Sequence, residues 1–394
     1  MKFSTRIRAD HMDVIQPFHV MKLLATAKSM EAAGRSIIHM EVGEPDFDTP
    51  EPIVNLGIEA LRHQHMHYTA AVGNPQLRAA ISQYYQQHLG VTIDPQRIII
   101  TPGASGALQL VLSVLINPGD DVLMADPGYP CNRNFVHLLA GNPVSVPVDE
   151  SSQFQIQVDH LSAHWTNLTR ALLLASPSNP TGTIIPPESM QSIIDYASQH
   201  QAAVIVDEIY QGLSYETAPY TALQFSEDIF VINSFSKFFG MTGWRLGWIV
   251  APPAYIEDLD KLAQNLYLAA STPAQQAALA AFTPETFAIL EQRRQIYQQR
   301  RDFLLPALRQ LGFKIPCEPE GAFYIYADCS ELTDDSYAFC LDVLDQVGVA
   351  ITPGIDFGHF RPERYVRFSY TTEMSQLKLG VERLQVYLNE RKLS

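Results

Sequence analysis

An α/β fold is predicted for this chain: a large domain with a mostly parallel seven-stranded sheet between helices, joined to a smaller α+β domain. Three observations predict it. Between about Arg97 and Pro252, short apolar runs alternate with helical patterns; glycines and polar residues cluster where those runs stop; and the texture changes after about Thr283. Runs that are apolar at nearly every position suit strands buried on both faces, and their alternation with helices implies parallel crossovers.

In chain order, "RIIIT", "DDVLMAD", "NPVSVPV", "RALLLAS", "AAVIVDE", "DIFVINS" and "LGWIVAP" read as buried strands, with "SGALQLVLSVL" and "PPESMQSIIDYASQH" as helices between them. Beyond Thr283 a long charged helix, "PETFAILEQRRQIYQQRRDFLLPALRQLG", precedes a strand-rich tail containing "GAFYIYAD", "VGVAITPG" and "RYVRFSY". The expected large domain spans residues 49–285. The smaller one combines residues 1–48 with 286–394. A chain of 394 residues makes two domains the natural expectation.

Hydrophobic content of 46% with 18% charged residues describes an ordinary globular chain, and a formal charge of −15 argues against nucleic acid as a partner. The N-terminal stretch interrupts its apolar residues with charges, so neither a signal peptide nor a membrane span fits and a cytoplasmic location is expected. Cys131, Cys317, Cys329 and Cys340 are scattered without a CxxC pair, which suits reduced structural thiols.

Such sheets bind ligands beyond the carboxyl ends of their strands, and the unusual residues sit there. "GASGA" follows the first strand as a small-residue turn that opens a helix, an anion site lacking the Walker A and GxGxxG patterns. Arg245, Ser234 and Ser236 could add charge and hydroxyls around the same anion. Asp207 closes an apolar strand, and a buried carboxylate there demands a cation. That cation could be a protonated pyridine nitrogen; an aspartate capping the next helix, or a metal ligand beside Glu208, stays open on this residue alone. Lys237, in "NSFSKFFGMTGWRLGW", would be costly to bury as an ammonium.

The ordered set "EVGEPDFDTP", "HYTAAVGNPQLRAAI", "DPGYP", "SPSNPTG", "VDEIY", "SFSKFFGMTGWRLGW" and "YVRFSYTT" spans nearly the whole chain. It resembles the fold-type I, pyridoxal-phosphate-dependent aminotransferases of the class I/II branch. The resemblance implies pyridoxal 5′-phosphate as cofactor, with Lys237 forming the Schiff base and serving as nucleophile and proton shuttle. It implies that Ala104 and Ser105 cradle the phosphate with Ser234, Ser236 and Arg245. Tyr129 would stack on the pyridine face, Asp207 would pair with the ring nitrogen, and Tyr210 and Asn179 would bond the 3′-oxygen. Arg367 would grip the substrate α-carboxylate as a fork, helped by Asn179 and the backbone of Gly43. Tyr68 would reach the cofactor phosphate of a partner subunit, which implies a homodimer with shared active sites. The substrates implied are an amino acid and a 2-oxo acid.

A β- or γ-eliminating lyase on the same fold is the alternative, because it would share nearly every residue named. A ligand-sensing relative fused to a DNA-binding segment is disfavoured, since family motifs occupy the region ahead of the phosphate turn. His63, His65 and His67 alternate like a metal ladder, but no carboxylate or cysteine accompanies them, and no metal is expected. Arg361 and Arg364 flank a Pro-Glu turn and are expected in solvent. Some aspartate aminotransferases of this branch carry a lysine two positions after the glycine of the phosphate turn. Here Ser105 stands there, so a neutral or aromatic donor side chain is expected.

Overall fold

The structure is a computed structural model that describes residues 8–64 and 66–393. All seven apolar runs are strands of one sheet: β1 (Ile98–Thr101), β2 (Asp121–Asp126), β3 (Asn142–Pro147), β4 (Thr169–Ala175), β5 (Ala203–Asp207), β6 (Phe230–Ser234) and β7 (Gly247–Val250). Their order across the sheet is β1-β7-β6-β5-β4-β2-β3. Only β7 opposes its neighbours, pairing antiparallel with both β1 and β6. Its amino end therefore meets the rim reached by the carboxyl ends of the other six strands.

Six of the strands are buried on both faces, which is why they read as unbroken apolar runs, whereas the edge strand β3 is half-buried and alternates. Ile99, Val122, Ile205, Ile232 and Ile249 pack on one face with Leu108 and Val111 of helix α1 (Gly103–Leu115). Ile98, Leu123, Leu172, Val206, Val231 and Trp248 face the opposite way, with Ile193 of helix α2 (Pro187–Gln199). The long helix α3 (Pro284–Gln310) starts as a proline-opened helix should, with the Thr283 side chain accepting from the Thr286 N–H.

A second sheet is antiparallel: β8 (Tyr324–Asp328), β9 (Thr352–Pro353) and β10 (Tyr365–Ser369), in the order β9-β10-β8. Ile38–His39 pairs in parallel with Val349–Ala350, so an N-terminal segment joins the C-terminal elements. Ile38, Met40, Phe323, Ile325, Val366 and Phe368 share a core there. The tail is more helical than its strand-like motifs suggest, with helices at Ser336–Val347 and Met374–Leu393. Asp335 caps the first by accepting from the N–H groups of Tyr337 and Ala338. Its buried Phe339, Cys340, Val343 and Leu344 follow helical spacing.

All four cysteines are free, with Cys329 and Cys340 buried. Among the described residues, no helix is long and apolar enough to cross a membrane, and no cluster of side chains could hold a metal ion. His65 lies outside the described residues; His63 ends the helix Glu51–His63.

Candidate active site

The rim topology decides what meets there. Asp207 is the last residue of β5, Ser234 the last of β6, and α1 starts two residues after β1 ends. Arg245 arrives at the same rim because β7 runs the other way. One cavity of about 240 Å³ opens at this edge. Ala104, Ser105, Tyr129, Asn179, Asp207, Tyr210 and Lys237 line it from the rim of the large sheet, Arg367 from the small sheet and Gly43 from the segment that follows Ile38–His39. Nine of the residues singled out from the sequence thus share one chamber.

The Lys237 ammonium donates to the Gly43 carbonyl at 2.7 Å. Burial pulls its pKa down to about 8; Glu44 opposes that shift, while Arg367 and Arg245 add to it. Asp207 is buried, and burial pushes its carboxyl up to about 7, against the pull of the Ile209 N–H (3.0 Å) and of Lys237. The neighbouring Glu208 turns elsewhere: one of its oxygens accepts from the Ala222 N–H at 2.7 Å and the Thr221 hydroxyl at 3.0 Å. Paired metal ligation by Asp207 and Glu208 therefore has no geometric basis.

Arg367 projects from β10 into the same chamber. Its Nη1 donates to Asn179 Oδ1 at 2.8 Å and its Nη2 to the Glu41 carbonyl at 2.6 Å. The guanidinium lies 4.3 Å over the Tyr324 ring and 4.8 Å from Phe357, while its Nε is buried without a hydrogen-bond partner. Arg367 thus keeps one buried N–H without a partner, on a group whose fork geometry matches a carboxylate. Arg361 is exposed and stacks on Phe360, and Arg364 pairs with Asp328. Neither lines the cavity.

At the other end, Gly103 opens α1 with φ +74°, and a Cβ there would sit 2.7 Å from Arg245 Nη2. The guanidinium is thus held against the helix N-terminus, where free N–H groups favour an anion. Ser234 Oγ donates to Ser236 Oγ at 3.0 Å beside this turn. Ser234, Ser236 and Arg245 stand next to the chamber rather than in its lining. Tyr68 is not brought to this chamber at all: it is 82% exposed.

Several lining residues were not singled out from the sequence. Tyr324 hydrogen-bonds Tyr210, hydroxyl to hydroxyl, at 2.7 Å. Asp356 caps the helix His19–Ala32 by accepting from the His19 and Val20 N–H groups, each at 2.7 Å, which brings Val20 and Met21 to the cavity. Phe18, Leu108, Pro130 and Phe357 complete an apolar wall. The alternation of "GAFYIYAD" placed Tyr324 and Tyr326 on one strand face, a signal that could have marked the former. The run "HMDVIQPF" reads as an entry segment, and its last residue, Phe18, does line the cavity; nothing in sequence brings Val20 and Met21 there, since that contact is made through Asp356, far along the chain.

Comparison with known proteins bears on this geometry. The family model described as "Aminotransferase class I and II" matches residues 35–384. The chain is 38% identical to the valine–pyruvate aminotransferase of Mycobacterium tuberculosis, over 95% of this chain and 97% of that protein. It is 33% identical to an aspartate aminotransferase of Pyrococcus abyssi, over 98% and 99% of the two chains. The crystal structure of an aminotransferase from Mycobacterium tuberculosis superposes with a TM-score of 0.95 at 37% identity, covering 98% of this chain and all of that one.

Proposed function

This chain belongs to the aminotransferase class I and II family and is a transaminase, and we propose that it holds pyridoxal 5′-phosphate at Lys237, acts as a homodimer and prefers neutral amino donors. The observation that carries the reading is one chamber holding both a buried lysine amine and a buried guanidinium with an unused N–H.

The residues fit the cofactor. Asp207 is a buried carboxylate raised by desolvation, and a pyridinium would supply the cation it lacks. The α1 turn, Arg245 and the two serines suit a phosphate. When bound, the cofactor supplies an aldehyde for amine exchange and an electron sink for the bond broken at the substrate Cα. The chain's own residues do the rest. Arg367 binds and orients the substrate α-carboxylate, and Asn179 holds that guanidinium in place. Lys237, with its pKa drawn toward neutrality, takes and returns the proton at Cα. Tyr129 and Tyr210 line the cavity and would flank the cofactor there, and the apolar wall excludes water. Residues 49–285 form the cofactor-holding part in this reading, and residues 1–48 with 286–394 bring Arg367 to it.

Amino transfer between an amino acid and a 2-oxo acid is the activity; nothing favours elimination. For the donor, the cations among the described lining residues are Lys237 and Arg367, both already committed. An aspartate side chain would meet Phe18, Val20, Met21, Leu108 and the already acidic Asp356 instead of a partner. One missing desolvated pairing is worth about 1.5–3 kcal/mol, roughly ten- to a hundredfold in specificity. Borohydride reduction followed by mass mapping should place the cofactor on Lys237, and single-turnover rates should favour alanine, valine, methionine, leucine or aromatic donors over aspartate. An adduct on another lysine would refute the site, and a highest rate with aspartate would refute the preference.

A further inference from the structure

We propose that Tyr324 is a positioning residue that couples the two halves of this site: its hydroxyl turns the Tyr210 proton toward the cofactor, and its ring is the shelf for Arg367. The proposal rests on the reading of Lys237 as the cofactor lysine.

Tyr324 is fully buried at the start of β8. Register puts Ser369 of β10 directly opposite it and Arg367 opposite Tyr326, so Tyr324 and Arg367 are diagonal neighbours on one sheet face. That placement explains the 4.3 Å between the guanidinium and the Tyr324 ring. The same side chain reaches Tyr210 through its hydroxyl at 2.7 Å. The hydroxyl also fills the space a side chain at position 43 would need: a Cβ on Gly43 would lie 1.8 Å from it. The Gly43 carbonyl is the acceptor of the Lys237 ammonium. One tyrosine therefore touches the supports of the lysine, the arginine and Tyr210.

Proton placement follows from the hydroxyl pair. Two phenols at this distance share one proton, and the other must point elsewhere. Burial raises both and the Arg367 cation opposes the rise at both, but it ranks higher among the causes at Tyr324, whose ring it overlies at 4.3 Å, so Tyr324 is the stronger acid and hence the donor. The Tyr210 proton is then turned away from Tyr324 and toward the cavity that Tyr210 lines. Donation into Tyr210 also polarises its own O–H, making it a stronger donor to an anionic ring oxygen.

The test is a pair of variants studied as holoenzymes. Tyr324→Phe removes the hydroxyl and keeps the shelf. The pH midpoint of the visible absorption band should then rise by about half a unit, because the deprotonated cofactor form loses support. The same variant should leave KM for the amino donor within about threefold of wild type. Tyr324→Leu also removes the shelf and should raise that KM by about tenfold, the loss of a desolvated cation–π contact. A loaded Tyr324→Phe protein whose midpoint does not move, or a Tyr324→Leu protein with unchanged KM, overturns the proposal while leaving the cofactor site standing. If borohydride places no cofactor on Lys237, the underlying reading falls and this proposal falls with it.

Discussion

Burial raises the Asp207 carboxyl to about 7 and lowers the Lys237 ammonium to about 8, and in both cases desolvation outweighs their mutual attraction. The stability consequences have opposite signs. Folded Asp207 binds more protons than the unfolded chain does between about pH 4 and 7, so its contribution falls as pH rises through that window. Folded Lys237 binds fewer protons than the unfolded chain between about pH 8 and 10.5, so its contribution rises there. The cofactor-free protein therefore carries its largest unfavourable charge burial near neutrality. Asp207→Asn should stabilise that form by about 2–4 kcal/mol at pH 8 and by much less at pH 5. Urea midpoints at the two pH values check this, and an equal difference at both would contradict it. Arg367→Lys tests the opposite end of the chamber. It keeps the charge but loses the geometry that meets Asn179 and the Glu41 carbonyl together. Amino-acid kcat/KM should fall about a hundredfold, a loss of ~3 kcal/mol, while the visible spectrum of the holoenzyme survives. Loss of cofactor at unchanged amino-acid affinity would make Arg367 structural.

Helix α1 owes its site to its first residue. At φ +74° an alanine is strained, and its methyl would press on Arg245. Gly103→Ala should weaken cofactor binding by about tenfold through ~1–2 kcal/mol of strain, and the loss should be specific for the phosphorylated cofactor. Equilibrium dialysis of the cofactor-free variant against pyridoxal phosphate and against pyridoxal makes the comparison. An equal loss for both would remove the phosphate role from this turn. This turn, like the seven strands, was legible in sequence because its signal is local. Continuous apolar runs announce double burial, and a glycine-rich stretch after "RIIIT" announces a helix mouth. Motif order supplied Lys237, Asp207 and Arg367 together. What escaped depends on contacts between distant segments. Tyr324 matters because it lies diagonal to Arg367 across β8 and β10, and Val20 and Met21 matter because Asp356 caps their helix. The helices within residues 336–393 escaped for a different reason: the compact apolar runs "GAFYIYAD" and "VGVAITPG" flank the first of them and carry a stronger local signal than the spaced Phe339, Cys340, Val343 and Leu344.

Polar contacts as well as the chamber tie the two cores: Asp126 at the end of β2 accepts from the His359 and Phe360 N–H groups. Beside the smaller core, Arg300 of α3 makes a two-pronged contact with Asp46, at 2.8 Å to each oxygen. Both links hold backbone that leads into the chamber. Tyr68 has no such anchor among the described residues. It is 82% exposed, and Ile58 and Leu61 on the preceding helix are exposed as well, at 41% and 60%. An aromatic ring and two aliphatic side chains left to solvent on one stretch suit a surface that a second copy covers. A two-fold interface uses the same patch on both copies, so a Tyr68 that serves the partner's chamber does so reciprocally. Mixing variants then separates a shared site from a private one. Pair Lys237→Ala with Tyr68→Phe, each of low activity alone, and let the subunits reassociate. If Tyr68 acts across the interface, each mixed dimer has one site with an intact lysine and an intact tyrosine, and one site lacking both. Random reassociation of equal amounts makes half the dimers mixed, so activity should recover to about a quarter of wild type. If Tyr68 serves its own chamber, every site in the mixed dimer lacks one group and mixing restores nothing. Sedimentation at assay concentration supplies the remaining check, and full activity from a monomer would end the shared-site reading.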